Sequence, residues 1–301
     1  MFVSKKRLSQ MSNATDELHM LSEEDLSKLH ACLLECLKDI MEVCDKYSIK
    51  PMVGGGSAIG LVRHNGFIPW DDDLDMMISR KDYNKLLKIF NKELGDRYYL
   101  LAPGRKQGAN CYLARIMRKG TTYVNMLSAG AKYPNCIYID LTPIDYVPNN
   151  KIMRKCKGFI SNVLKFASYS VFWYKNQNPY LANYMNSNEE SKKYYKNRLF
   201  VGMCFSFLSA EKWFAIFDKF VQGKETKYMT IASGRMHYSG EMLHKDVFFP
   251  VKEGKFEGIK VYIPNDIDKY LSNLYGDYME IPPEDKREKH LCVAFDCNHE
   301  Q

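Results

Sequence analysis

Four carboxylates fall within five residues, at Asp71, Asp72, Asp73 and Asp75, and the chain then runs directly into the apolar stretch 74–78. Like charges this close repel one another unless a cation sits between them. Side chains two apart on an extended chain leave it on the same side. Asp73 and Asp75 are therefore expected to converge on one point, with Asp71 above them as a reserve ligand. Hard divalent ions such as Mg2+ or Mn2+ take oxygen ligands, commonly one or two carboxylates plus substrate phosphates. An acidic surface turn seldom leads straight into an apolar strand, so the segment reads as the rim of a metal site.

The run Gly54-Gly55-Gly56-Ser57 precedes this segment by fewer than twenty residues. Glycines before a short helix let backbone N–H groups approach an anion closely. Gly55, Gly56 and Ser57 are thus candidates for a phosphate cradle, with Ser57 adding a hydroxyl. Arg63 and His64 follow about two helical turns later. An arginine there can hold a phosphate through paired N–H bonds. A third acid is sought elsewhere. Asp140 ends the apolar stretch 137–141, where an unsatisfied carboxylate is costly. Asp145, beyond Pro143, is the reserve.

With 301 residues, 46% hydrophobic and 26% charged, the chain can build a large core. Nine cysteines without a zinc-type or CxxC spacing read as reduced thiols of a cytoplasmic protein. No stretch has the length and apolarity to cross a bilayer. Helix is expected over 22–47, 57–63, 80–94 and 265–275, and across most of 151–223. Strands are expected at 52–53, 74–78, 98–101, 112–117 and 137–141, with a hairpin of 247–251 and 256–263 turning at Glu253-Gly254-Lys255. The fold class is α/β (α+β): a mixed sheet core with a helical insertion, closed by a hairpin and a helix. The expected organisation is a polar lead-in (1–20), a catalytic core (21–150), a basic, aromatic-rich helical region (151–228), and a C-terminal hairpin, helix and charged tail (229–301).

The net charge of +7 is concentrated in the helical region, where residues 151–227 hold 14 Lys and Arg against 5 Asp and Glu. Such a face suits a polyanion, or a lipid surface at the inner side of the membrane. No nucleic-acid motif is present.

The run GGGSAIGLVRHNGFIPWDDDLDMMI resembles the LicD family, phosphotransferases related to the fukutin proteins. The resemblance continues through YLARIMRKGTT, IYIDLTPIDYVP, FEGIKVYIPNDIDKYLSNLYGDYMEIPP and KREKH, and fades over 150–235. It implies a nucleotidyltransferase-like fold, with Gly55, Gly56 and Ser57 in the phosphate-cradling turn. It places Asp73 and Asp75 on the family's paired metal ligands and Asp140 on its third acidic position. Ser57 stands where many relatives have Thr, which keeps the hydroxyl. The family pattern implies a CDP-alcohol donor, such as CDP-choline or CDP-ribitol, and a cell-surface glycan acceptor, with CMP released.

On that pattern, Mg2+ or Mn2+ bridges the donor phosphates and Asp140 meets the acceptor hydroxyl. Arg115 and Arg118 are candidates for the donor phosphates. Lys286, Arg287 and His290 are candidates to close over the pyrophosphate or grip the acceptor. A nucleotidyltransferase transferring NMP would use the same acids, and a non-catalytic metal-dependent glycan or nucleotide binder would keep them without turnover.

Overall fold

The computed structural model describes residues 18, 20–105, 109–287 and 291–297. Helix α1 (Glu23–Lys46) starts at Ser22, whose hydroxyl accepts the Asp25 N–H at 3.1 Å. Glu23, Glu24 and Asp25 sit at the positive end of its dipole. Strand β1 (Met52–Val53) leads through Gly54 into α2 (Gly55–His64). After the acidic loop come β2 (Asp75–Ser79) and α3 (Arg80–Glu93), which Ser79 caps. Next are β3 (Tyr98–Leu101), β4 (Ala114–Arg118), β5 (Thr122–Asn125) and β6 (Tyr138–Val147).

The basic region forms α4 (Lys151–Lys175), α5 (Pro179–Met185), α6 (Glu189–Cys204) and α7 (Ala210–Val221). The chain returns through β7 (Tyr228–Thr230), the short α8 (His237–Gly240), β8 (Leu243–His244) and α9 (Lys245–Phe248). It ends with β9 (Lys252–Phe256), β10 (Ile259–Ile263), α10 (Ile267–Tyr275), a 3-10 turn (Glu284–Lys286) and β11 (Cys292–Asp296).

The main sheet runs β3-β4-β6-β2-β1-β10-β9, with β7 added to the far end of β6 and β8 to β7; β5 and β11 pair separately. The pairs β1–β10 and β2–β6 are parallel and the others antiparallel, so the sheet is mixed, as expected of an α+β chain. One core gathers Met76, Ile78, Ile139 and Leu141 of the sheet with Leu29, Leu33, Leu37 and Ile40 of α1. A second gathers Val171 and Trp173 of α4 with Phe214 and Phe217 of α7. No helix among the described residues is long and apolar enough to cross a membrane, and all nine cysteines are free thiols.

Several local expectations are corrected. The hairpin turns at Glu257-Gly258, not at Glu253–Lys255, because Glu257 (φ 47°) and Gly258 (φ 79°) supply the two left-handed residues that a tight hairpin needs. Gly254 instead pairs with Val261 inside the ladder. The closing helix is capped by Asp266, which accepts the Lys269 N–H at 3.0 Å, rather than by Asn265. Strand β6 does not stop at Leu141. It continues through Pro143 to Val147, because β4 leaves the ladder at Leu141 and β7 takes over at Asp145. The ring's missing N–H thus falls between two antiparallel partners.

Candidate active site

Strands β2 and β6 run parallel with Asp75 opposite Asp140, and β4 runs antiparallel to β6 with Arg115 opposite the same Asp140. Directly opposed residues project to one face of a sheet. Asp75, Asp140 and Arg115 therefore form a row across three neighbouring strands. Arg115 donates to both Asp140 oxygens, from Nε at 2.8 Å and from Nη2 at 3.3 Å. Its guanidinium also lies 4.2 Å over the Tyr138 ring. Burial works against the Arg115 charge, but Asp140 and Tyr138 outweigh it and hold the group well above the usual arginine value. Burial likewise pushes the Tyr138 phenol up, opposed by Arg115 and reinforced by Asp140, Asp72 and Asp73. One phenol thus lies within electrostatic reach of acids from both the loop and β6.

The start of α2 closes onto this row. Ser57 Oγ accepts the Asp75 N–H at 2.9 Å, and Gly54 donates its N–H to the Asp75 carbonyl at 3.0 Å. Gly55 adopts φ 54°, and a Cβ built on it would sit 2.6 Å from Asp75 Oδ2. A Cβ on Gly56 would sit 3.2 Å from Asp71 Oδ2. Glycine at both positions lets two carboxylates lie against the first turn of the helix. The cradle is narrower than the sequence implies, since the Gly55 N–H already donates to Tyr270 Oη at 3.0 Å. Burial pushes the Tyr270 phenol up as well.

Strand β2 begins at Asp75, so Asp71, Asp72 and Asp73 belong to the loop before it. Oxygens of these three half-buried acids lie within 4.8 Å of one another. The Asp72 carboxylate accepts the Tyr123 hydroxyl. His30 on α1 donates from Nε2 to the Asp71 carbonyl at 2.7 Å, its ring stacked 3.9 Å from Phe67. Burial lowers the His30 pKa and so favours the neutral ring. Tyr123, Tyr138, Tyr270 and His30 join the site although no candidate motif contains them as ligands. They reach the site by tertiary packing, and no local motif marks them.

Other candidates lie apart from the row. Arg63 is eight residues along α2 from Gly55, about 12 Å of rise. Its Nη1 donates to the carbonyls of Tyr278 and Glu280 at 3.0 and 3.1 Å, so it ties the C-terminal segment to the helix. Burial, with Arg63 beside it, lowers the His64 pKa. Its ring meets Trp70 edge-on at 6.3 Å. Arg287 covers Trp70 from 3.9 Å, which brings it beside the acidic loop, whereas Lys286 is exposed in the 3-10 turn. His290 lies outside the described residues.

Arg118 is three residues from Arg115 on one strand, so it leaves on the opposite face. There it pairs with Glu35, Asp39 and Tyr98, away from Asp140. Asp145, five residues from Asp140, is likewise on the other face of β6. It is 1% exposed and held by Arg80 through bonds of 2.8 and 2.7 Å, with Asp218 on the same guanidinium at 2.8 Å.

Residues 48–172 match the family described as LicD/FKTN/FKRP, nucleotidyltransferase domain. The chain is 28% identical over 262 residues to the lipopolysaccharide cholinephosphotransferase LicD of Haemophilus influenzae, covering 84% of this chain and 91% of that protein. It is also 36% identical over 90 residues to an uncharacterized Rickettsia typhi protein, covering 29% of this chain and 28% of that one. An uncharacterized Rickettsia prowazekii protein shares 29% over 133 residues, covering 40% of this chain and 49% of the other. The matched segment contains the glycine turn, the acidic loop and the Asp75–Asp140–Arg115 row, so the similarity to the LicD/FKTN/FKRP nucleotidyltransferase domain and to the Haemophilus phosphotransferase falls on the residues that build this site.

Proposed function

We propose that this enzyme transfers a phospho-alcohol, phosphocholine first among the candidates, from a CDP-linked donor to a hydroxyl of a cell-surface glycan, releasing CMP. The likeness to the Haemophilus enzyme over most of both chains supports the choice of group and of a lipopolysaccharide-type acceptor. The observation that carries the reading is the in-register row of Asp75, Asp140 and Arg115 beside the glycine turn of α2. The donor set fits a hard cation: clustered, half-buried carboxylates with Asp71 and Asp75 both against the helix start. Asp73 and Asp75 would hold Mg2+ or Mn2+, with Asp71 in reserve. The ion would offset charge on the donor phosphates.

The chain's own residues supply the rest. N–H groups of Gly56 and Ser57, in the first turn of α2, would receive phosphate oxygens at the positive end of the helix dipole. Asp140, fixed by Arg115, would accept a hydrogen bond from the acceptor hydroxyl and aim its oxygen at phosphorus. Arg115 keeps a compensating positive charge in the row as negative charge develops. Arg287 closes the rim through Trp70. Incubation with Mg2+ or Mn2+ and a panel of CDP-alcohols should release CMP from one of them and none with a chelator. Release of pyrophosphate from a nucleoside triphosphate instead would identify a nucleotidyltransferase.

A further inference from the structure

Helix α4 carries an apolar stripe that changes character halfway along. Ile152, Cys156, Phe159, Val163, Phe166, Ser170 and Tyr174 recur at three- and four-residue spacing and so share one face. Helix α6 covers the second half. Arg198 lies 4.0 Å over the Phe166 ring, and a Cβ on Gly202 would come 2.1 Å from the Ser170 carbonyl. Among the described residues nothing covers the first half: Ile152 is 74% exposed, Phe159 71% and Val163 46%, with Met153 and Ile160 exposed beside them. Lys165, next to Phe166 in the chain, turns inward to the carbonyls of Ser233 and Gly234 at 2.7 and 2.8 Å. The bare face is therefore apolar at its centre.

Its rim is basic. Lys151 and Lys155 are exposed at the start of α4, and the 25 residues of that helix contain no Asp or Glu. The covering helix repeats the pattern on its outer side, with Lys193, Lys196, Phe200 and Met203 all exposed. Apolar centres flanked by lysines are the signature of a helix lying in the headgroup region of an anionic bilayer. A second copy is a poorer occupant, since two-fold pairing would bring two basic, acid-free helices together.

We propose that the exposed face of α4, with Lys151 and Lys155 at its edge and the outer stripe of α6 beside it, docks this enzyme on an anionic membrane surface. The same helix carries Tyr169, whose ring meets that of Tyr112 edge-on at 4.6 Å, two residues before β4. The inference deepens the transferase reading by making the acceptor lipid-linked, but vesicle binding is measured without donor or turnover, so either can fail alone. The test is cosedimentation of the full chain with vesicles of phosphatidylcholine and phosphatidylglycerol in equal parts, and with phosphatidylcholine alone.

The wild type should bind the anionic vesicles and release as salt is raised. Ile152→Ser, Phe159→Ser and Val163→Ser together should weaken partitioning about a hundredfold, and Lys151→Glu with Lys155→Glu should abolish the preference for the anionic lipid. Circular dichroism checks that these exposed substitutions leave the fold intact. No binding by the wild type, or undiminished binding by a folded triple variant, would overturn the proposal. So would a dimer in the ultracentrifuge that the triple variant dissolves while vesicles capture neither protein.

Discussion

Asp75 and Asp140 are 65 residues apart in the chain and directly opposite each other across the parallel pair β2–β6. The pairing makes the side-chain face of Asp140 a property of the sheet, because a slip of one residue would turn it to the far side. Asp145, on that far side, is bound by Arg80. Turnover therefore separates the two acids.

Asp140→Asn should lower turnover by two or more orders of magnitude, and it also costs stability because it takes from the largely buried Arg115 the carboxylate that it bonds twice. Asp145→Asn should cost stability while leaving turnover nearly unchanged. It removes half of a buried ion pair and leaves Arg80 with Asp218 alone, at a cost of about 3 kcal/mol. Denaturant titrations beside activity assays of both purified variants check this, and a larger activity loss for Asp145→Asn at unchanged stability would reverse the roles.

Asp73→Asn and Asp75→Asn should each abolish transfer while leaving a folded protein. Asp75 keeps its backbone bonds to Ser57 and Gly54 in either form. Near-normal turnover by either folded variant in the presence of metal would remove that residue from the site.

Gly55→Ala tests the close approach of helix and carboxylate. It places a methyl 2.6 Å from Asp75 Oδ2 at a backbone φ of 54°. Backbone strain of about 1–2 kcal/mol is expected, together with displacement of the carboxylate and a large loss of activity. A fully active Gly55→Ala protein would show that the carboxylate need not lie there.

Glu241 offers a pH test outside the row. It is buried, accepts the Met236 N–H at 2.8 Å, and burial raises its pKa from 4.5 to about 7. The folded protein then holds a proton that the unfolded chain releases between pH 4.5 and about 7, so this residue's contribution to stability declines as pH rises through that window. Glu241→Gln should remove the decline and stabilise the protein by about 2–3 kcal/mol at pH 8 relative to pH 4. Melting curves of both proteins across that range decide it, and parallel curves would refute the assignment.

The sequence shows some of this well and some badly, for physical reasons. Periodicity and caps mark α1, α3 and the helical region, because those signals lie within a few residues. The acidic loop and glycine turn stand out for the same reason. Arg115 and Arg118 both look like phosphate ligands by residue type, but a separation of three on a strand puts them on opposite faces and leaves only Arg115 beside Asp140. A proline after Leu141 suggests that the strand ends there, but a change of antiparallel partner lets it pass through Pro143. Tyr270 meets the Gly55 N–H from 215 residues away, and contacts at that range leave no local trace.

A single cation shared by the acidic loop and the sheet is the centre of the proposed chemistry. Its most direct test is a crystal grown with Mn2+ and a CDP-alcohol analogue, with the ion located by anomalous scattering. One manganese is expected, with Asp73 and Asp75 oxygens at roughly 2.0–2.3 Å and the Asp140 carboxylate facing the same pocket. A manganese held by Asp71 and Asp72 alone, with Asp75 and Asp140 turned away from it, would contradict that chemistry.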